Sequence, residues 1–125
     1  MSIRRFSMLA AKGRVIMISG ANRGIGFETA KLLDSKGYFL SLAARKIDEI
    51  NLEDKGKKII KCYWDAKDIN STKNWVRETI GSFGKIDGLV MNAGVELGGD
   101  LEGSTEEEFD EMFEVNFKGP LRLVR

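Results

Sequence analysis

The sequence predicts an α/β fold in which a doubly wound parallel β-sheet is covered by helices on both faces. Short apolar runs alternate with longer amphipathic stretches, which is typical of parallel strands joined by helical crossovers. A glycine-rich segment lies where the first apolar run meets the first amphipathic stretch. The chain has 125 residues, of which 42% are hydrophobic and 31% charged, as expected of one folded domain.

Four apolar runs predict the strands of the sheet. They cover residues 14–19, 38–44, 58–64 and 89–92, and the first of them is nearly continuous, as a strand buried on both faces requires. Apolar residues at three- and four-residue spacing predict helices after the first, third and fourth strands. A short helix over residues 47–52 is expected after the second strand.

The ends of the later helices follow from their capping residues. Asn70 or Ser71 is the expected N-cap of the helix after the third strand. Ser104 and Glu107 form the expected capping box of the last helix. Pro120 should bend that helix or end its first segment, because proline lacks a backbone donor.

The composition excludes several classes of function. The sequence has no histidine, so histidine-based catalytic triads and the usual zinc sites are excluded, and we expect no metal. Its single cysteine, Cys62, can form no disulfide within the chain, which favours a reducing, cytoplasmic location. No apolar run approaches the ~20 residues of a membrane helix, so we expect no membrane association. The basic residues form no dense patch with interleaved aromatic residues, which argues against nucleic acid as a partner.

Charge is divided unevenly along the chain. Residues 1–62 carry 13 basic and 6 acidic side chains, whereas residues 63–125 carry 7 basic and 13 acidic ones. An anionic ligand bound by the first half would explain this division, and so would two solvated faces of one domain. We interpret residues 1–12 as an N-terminal tail, because the first strand begins only after them.

A glycine-rich turn joins the first predicted strand to the first predicted helix. It reads Gly20-Ala21-Asn22-Arg23-Gly24-Ile25-Gly26, which is a Gly-x-x-x-Gly-x-Gly spacing. Glycines permit a tight turn and let the backbone approach a pyrophosphate, which helix amides and the helix dipole then hold. An ordinary strand-to-helix turn rarely needs three glycines. We therefore predict a phosphate-binding turn formed by Gly20, Asn22, Arg23, Gly24, Ile25 and Gly26.

With this turn the chain resembles the short-chain dehydrogenase/reductase family, whose main branch has the same glycine spacing. Three further segments resemble the family, in the same order. Asp65 follows the third strand, where family members place an acid beside the adenine. Met91-Asn92-Ala93-Gly94 resembles the family's Asn-Asn-Ala-Gly, with Met91 in place of the first asparagine. Asn116-Phe117-Lys118-Gly119-Pro120 resembles the segment that carries the family's active-site asparagine.

The resemblance implies a Rossmann-type domain over residues 13–125 and an oxidoreductase activity. Members of the family transfer a hydride between a nicotinamide and a carbonyl or alcohol, and they usually form homodimers or homotetramers. By resemblance, Asn116 belongs to the catalytic set, where the family's asparagine helps position a lysine through water. The further coenzyme-binding residues implied are Asp65, Ala66, Asn92, Ala93 and Gly94.

Each of these matches also has a purely structural interpretation. Asp65 could be an ordinary turn residue at the end of a strand. Asn92 could bond its own backbone in a turn that supports the sheet. Asn116 could be a satisfied polar residue at a helix kink.

The coenzyme is predicted from the residues beside the turn. An acid about 20 residues past the glycines usually selects NAD, whereas an arginine there accommodates the 2′-phosphate of NADP. The second strand ends with Ala44 and is followed by Arg45 and Lys46, with no acid among them. Arg23 lies within the turn, and two guanidinium groups can hold a phosphate through paired hydrogen bonds. Similar basic residues mark NADP-preferring family members, so we predict NADP(H) in preference to NAD(H).

The family's catalytic serine, tyrosine and lysine follow the asparagine segment, and this sequence ends nine residues after Asn116. Tyr63 and Lys67 have the Tyr-x-x-x-Lys spacing, but they span the end of a predicted strand and cannot share a helix face. We therefore expect a sheet truncated after about four strands, a domain incomplete at its C-terminal end and an incomplete subunit interface. An oxidoreductase inactive in this form, a nucleotide-binding module without turnover and a fragment without a role remain open.

Overall fold

The computed structural model describes residues 13–92 and 103–124, which form a four-stranded parallel sheet with helices on both faces. The strands are β1 (Val15–Ser19), β2 (Phe39–Ala44), β3 (Ile59–Tyr63) and β4 (Gly88–Val90). The helices are α1 (Gly24–Ser35), α2 (Ile69–Phe83), α3 (Glu106–Phe113) and α4 (Gly119–Val124). A 3-10 turn covers Ile47–Glu49, and a π turn covers Glu114–Lys118. The predicted α/β fold is confirmed.

The four strands are arranged in the order β3-β2-β1-β4, and the segment that follows each strand lies at the same edge of the sheet, the one formed by the carboxyl ends of the strands. The chain moves outward from β1 to β3 and then returns to pair β4 with the other side of β1. Because all pairs are parallel, the carboxyl ends of the four strands face the same way. The change of direction between β1 and β4 opens a crevice at that edge, which is where open α/β sheets bind ligands.

The core consists of two apolar clusters, one on each face of the sheet. Neighbouring residues of a strand point to opposite faces, so Ile18 and Leu42 join one cluster while Met17 and Ala43 join the other. Helix α1 covers the first cluster through Ala30. The second is covered from α2 and the π turn. Burial on both faces explains why the strands are nearly continuous apolar runs.

A polar chain inside the second cluster joins β2 to α2. The Trp75 indole donates to Ser41 Oγ at 2.8 Å, Ser41 Oγ lies 2.7 Å from Thr79 Oγ1, and Thr79 donates to the Trp75 carbonyl at 2.8 Å. All three residues are fully buried. Throughout residues 13–92 and 103–124, every buried side-chain nitrogen and oxygen has a hydrogen-bond partner. This network sets the position of α2 on the sheet.

Replacing Ser41 by alanine should destabilise the fold by about 1–3 kcal/mol, because the buried Trp75 indole would lose its acceptor. The measurement is the free energy of unfolding in urea. Ser82→Ala is the matched control, since Ser82 is an exposed serine on α2, the helix that the network joins to β2. Equal unfolding free energies for the two variants would show that the buried network does not stabilise the domain.

Cys62 lies in the same cluster and is not a reactive thiol. Burial raises its pKa to about 12, and the neighbouring Glu78 carboxylate acts in the same direction. The thiol donates to Glu78 Oε2 at 3.1 Å. Because the thiolate is the reactive form, the thiol is inert near neutral pH.

Two helices begin at residues other than those predicted. Asp68 caps α2 by accepting from the amides of Asn70 at 3.0 Å and Ser71 at 3.2 Å, so the predicted caps lie inside the helix. The capping box of α3 pairs Thr105 with Glu108, one residue later than predicted. The segment Ser104-Thr105-Glu106-Glu107-Glu108 holds two overlapping boxes, and only the path of the backbone selects one.

The last helix changes its pitch before Pro120. Helix α3 passes into the π turn, in which the Gly119 amide donates to the Glu114 carbonyl five residues earlier. Proline cannot donate to the carbonyl four residues before it, and a π turn accommodates that missing bond. Pro120 therefore alters the helix as predicted. None of the helices in the described ranges has the length and apolar character that crossing a membrane requires.

Candidate functional site

A cleft of about 870 Å³ opens at the carboxyl edge of the sheet. Segments that follow all four strands contribute to its wall, together with Glu111 of α3 and Val115 of the π turn. The chain order therefore separates these residues widely, whereas the parallel sheet brings them together. The predicted binding residues that line it are Gly20, Asn22, Arg23, Gly24, Ile25, Arg45, Asp65, Ala66 and Asn92.

The three glycines of the turn are required for two different steric reasons. Gly20 and Gly24 have φ angles of 65° and 58°, which other residues rarely adopt. Gly26 has an ordinary φ, but a Cβ there would collide with the Gly20 carbonyl oxygen and lie 2.6 Å from Asn92 Nδ2. The absence of a side chain at Gly26 thus lets the first turn of α1 pack closely against the Gly20 backbone.

The amino end of α1 faces the cleft. Its N-cap residue, Arg23, is extended and carries a side chain that can donate but not accept hydrogen bonds. The first amides of a helix need acceptors from outside the helix, and its dipole favours a negative charge there. A Cβ built on Gly24 meets no atom within 4 Å, so the backbone is open to a close approach. The residues present fit an anionic group such as a pyrophosphate.

Asn92 fastens β4 to the glycine turn. Its backbone amide donates to Ser19 Oγ at 2.9 Å, and its side-chain amide donates to the Gly20 carbonyl at 3.3 Å. Asn92 therefore bonds to a distant part of the chain and not to its own backbone, and it also lines the cleft. Ala93 and Gly94, also predicted to line the site, lie outside the described residues.

The loop after β3 is held by its own hydrogen bonds. Asp65 Oδ1 accepts from the Lys67 amide at 3.0 Å, which is the turn role considered from the sequence. The Asp65 amide donates to Ser71 Oγ at 3.0 Å. Ala66 is buried, and its carbonyl accepts from Arg122 Nη1 at 3.1 Å. Asp65 therefore shapes this wall of the cleft as well as lining it.

Helices α3 and α4 are tied to that loop by contacts that sequence reasoning missed. Gly119 is buried against Ala66, where a Cβ would lie 2.6 Å from the Ala66 methyl. Arg122 pairs with Glu114 at 2.7 Å, and this hydrogen bond lowers the pKa of the carboxyl below its usual value. Gly119 and Ala66 lie more than 50 positions apart in the chain, as do Arg122 and the Ala66 carbonyl, so no local pattern could have indicated those two contacts.

A second ion pair crosses the cleft mouth. Lys67 Nζ lies 2.9 Å from Glu111 Oε1, which raises the pKa of Lys67 and lowers that of Glu111. Tyr63 is the last residue of β3 and Lys67 lies in the following loop, so the two do not share a helix face. Their Tyr-x-x-x-Lys spacing is therefore not a catalytic arrangement.

Comparison with known proteins agrees with this geometry. The family described as short chain dehydrogenase matches residues 14–125. The chain belongs to this family. An uncharacterized oxidoreductase of Listeria monocytogenes is 33% identical over 121 residues, which are 93% of this chain and 49% of that protein. The chain thus spans about half the length of this curated relative.

Two solved structures of the same fold contain a nicotinamide coenzyme. An alcohol dehydrogenase from Thermococcus sibiricus, complexed with 5-hydroxy-NADP, is 34% identical with a TM-score of 0.81. A 3-ketoacyl-(acyl-carrier-protein) reductase from Brucella melitensis, complexed with NADH, is 27% identical with a TM-score of 0.85. The matches cover 89% and 92% of this chain, and 50% and 49% of the two solved chains.

Asn116 lies in the π turn and is exposed. Its neighbour Val115 is buried and lines the cleft, whereas Asn116 itself is not among the lining residues. A π turn is often found at functional sites.

The end of β2 differs from the sequence-based expectation in one respect. Arg45, which was predicted to bind the coenzyme, lines the cleft together with Lys46, but an acid lines it too. The 3-10 turn brings Glu49 to the glycine turn, where its Oε1 accepts from Asn22 Nδ2 at 3.3 Å. Sequence reasoning looked for an acid only at the strand end and therefore missed it.

Proposed function

We propose that this chain forms the coenzyme-binding part of an NADP(H)-dependent oxidoreductase that transfers a hydride between the nicotinamide and a carbonyl or alcohol substrate. The observation that carries the proposal is the single cleft shared by the glycine turn, Arg45 and the loops after β3 and β4. Structural relatives complexed with 5-hydroxy-NADP and NADH support a nicotinamide coenzyme.

In this proposal each wall of the cleft binds a different part of the coenzyme. The glycine turn and the amino end of α1 hold the pyrophosphate. Arg23 and Arg45 hold the 2′-phosphate, and their charge makes the site favour NADP(H) over NAD(H). Asp65 and Ala66 contact the adenine. The remaining wall is formed by Asn92, Ala93 and Gly94.

The coenzyme, when bound, would donate the hydride to a carbonyl or accept it from an alcohol, and the residues of this chain would bind and orient the coenzyme. Asn116 has a positioning role in the resemblance and performs no proton transfer itself. The family's serine, tyrosine and lysine are not in the given sequence, so we expect these 125 residues to bind coenzyme without turnover. The chain tested by itself would then behave as the alternative considered above, a nucleotide-binding module.

The partners follow from the same family resemblance. We propose a small carbonyl or alcohol as the substrate, and a homodimer or homotetramer as the assembly. Half-exposed apolar residues recur along α3, the π turn and α4, which supports association through this face. They are Phe113, Phe117, Leu121 and Val124. A cytoplasmic location is proposed from the lone cysteine, Cys62.

Replacing Arg45 by alanine should weaken binding of NADP⁺ about tenfold or more and leave binding of NAD⁺ nearly unchanged. A hydrogen bond to a charged group contributes about 1.5–3 kcal/mol, and only NADP⁺ has the 2′-phosphate. Titration calorimetry of the chain with each coenzyme measures the effect. Arg77→Ala is the matched control, because Arg77 is an exposed arginine on α2. Equal affinity for both coenzymes in the wild type and in Arg45→Ala would refute the proposed selectivity.

A further inference from the structure

Glu49 brings a negative charge into the part of the cleft that holds the predicted 2′-phosphate site. It shares the cleft wall with Arg23 and Arg45. One carboxylate oxygen accepts from Asn22 of the glycine turn, and the other lies 3.9 Å from Lys46 Nζ. The Glu49 side chain is 50% exposed, so it meets solvent and any bound nucleotide without moving core residues.

The carboxylate acts on a phosphate in two ways, and both have the same sign. A phosphate monoester carries nearly two negative charges at neutral pH, so Glu49 repels it directly. Glu49 also pairs with Lys46, which reduces the attraction of that ammonium group for the phosphate. A ribose hydroxyl, in contrast, can donate to a carboxylate, so a nucleotide without the 2′-phosphate is not penalised.

We propose that Glu49 is a specificity-determining residue that opposes Arg23 and Arg45 and limits the preference for a 2′-phosphate. The inference rests on the proposed coenzyme site. The selectivity of the cleft is then a difference between two cationic contacts and one anionic contact, and nucleotides lacking the 2′-phosphate also bind. Asn22 keeps the Glu49 carboxylate at this position by donating to it.

Glu49→Gln tests the charge while keeping the shape, because the glutamine carbonyl can still accept from Asn22. The probes are 2′,5′-ADP and 5′-AMP, which differ only in the 2′-phosphate and need no nicotinamide site. We expect affinity for 2′,5′-ADP to rise about three- to tenfold at low ionic strength, and affinity for 5′-AMP, which lacks the 2′-phosphate, to rise much less. The gain should shrink as salt is added, because exposed charges are screened.

Asp48→Asn is the matched control. Asp48 lies in the same 3-10 turn, is exposed and undergoes the same change of charge. Equal gains for 2′,5′-ADP in the two variants, or an equal gain for 5′-AMP in Glu49→Gln, would overturn the inference and leave the proposed coenzyme site intact. A wild-type chain that binds neither nucleotide would overturn both the inference and the proposed function.

Discussion

Replacing Gly26 by alanine should destabilise the chain by about 3 kcal/mol and weaken NADP⁺ binding at least tenfold. The added methyl would collide with the Gly20 carbonyl and lie 2.6 Å from Asn92 Nδ2. Overpacking usually costs about 1–3 kcal/mol, and here the obstacle includes backbone that cannot rotate away. Relief requires α1 to move from the turn, which would also move the amides that face the cleft. Urea unfolding and calorimetric titration with NADP⁺ measure the two effects.

Gly81→Ala provides the control for this substitution. Gly81 lies inside α2, and a Cβ there meets no atom within 4 Å. Alanine is the better helix former, so this variant should gain about 0.5–1 kcal/mol. An unchanged free energy of unfolding and unchanged NADP⁺ affinity in Gly26→Ala would show that the turn does not need the close approach.

Replacing Gly119 by alanine should cost about 2–3 kcal/mol of unfolding free energy, since the new methyl would lie 2.6 Å from the Ala66 methyl. Carbon atoms in contact normally lie about 3.5–4.0 Å apart. Helix α4 would have to move away from the loop after β3, which would strain the hydrogen bond from Arg122 to the Ala66 carbonyl. Urea unfolding measures the loss.

A second substitution separates this clash from a general effect on the helix. Adding Ala66→Gly to Gly119→Ala removes the methyl that is struck, so the double variant should recover part of the lost stability. Residues in contact show such coupling, whereas distant ones add independently. Strict additivity of the two substitutions would contradict the proposed contact between the loop and α4.

The strands and the glycine turn were predictable because their signals are local. Burial on both faces makes β1 nearly continuous in apolar residues, and the positive φ angles of Gly20 and Gly24 favour glycine. Helix caps were less predictable, because several residues with suitable side chains stand side by side. The sequence favoured Asn70 or Ser71 as the N-cap of α2 and Ser104 as that of α3, whereas the structure has Asp68 and Thr105. The choice depends on the direction in which the backbone enters the helix.

The residues of the candidate site likewise divide into those that the sequence predicted and those that it did not. Most of its predicted residues come together, because parallel strands must bring their carboxyl ends to one edge. Glu49 was missed because a 3-10 turn, not the strand end, carries it back to Asn22. Arg122 was missed because its partner is a backbone carbonyl, which any residue could have offered.

Hydrophobic period and glycine spacing determine the α/β class and the position of the glycine turn. These properties depend on residues within a few positions of one another. The wall of the cleft depends on contacts between residues far apart in the chain, such as the 72 positions between Asn92 and Gly20 and the 56 between Arg122 and Ala66. Only the packed sheet and helices create those contacts, because local periodicity carries no information about which distant backbone atoms will meet.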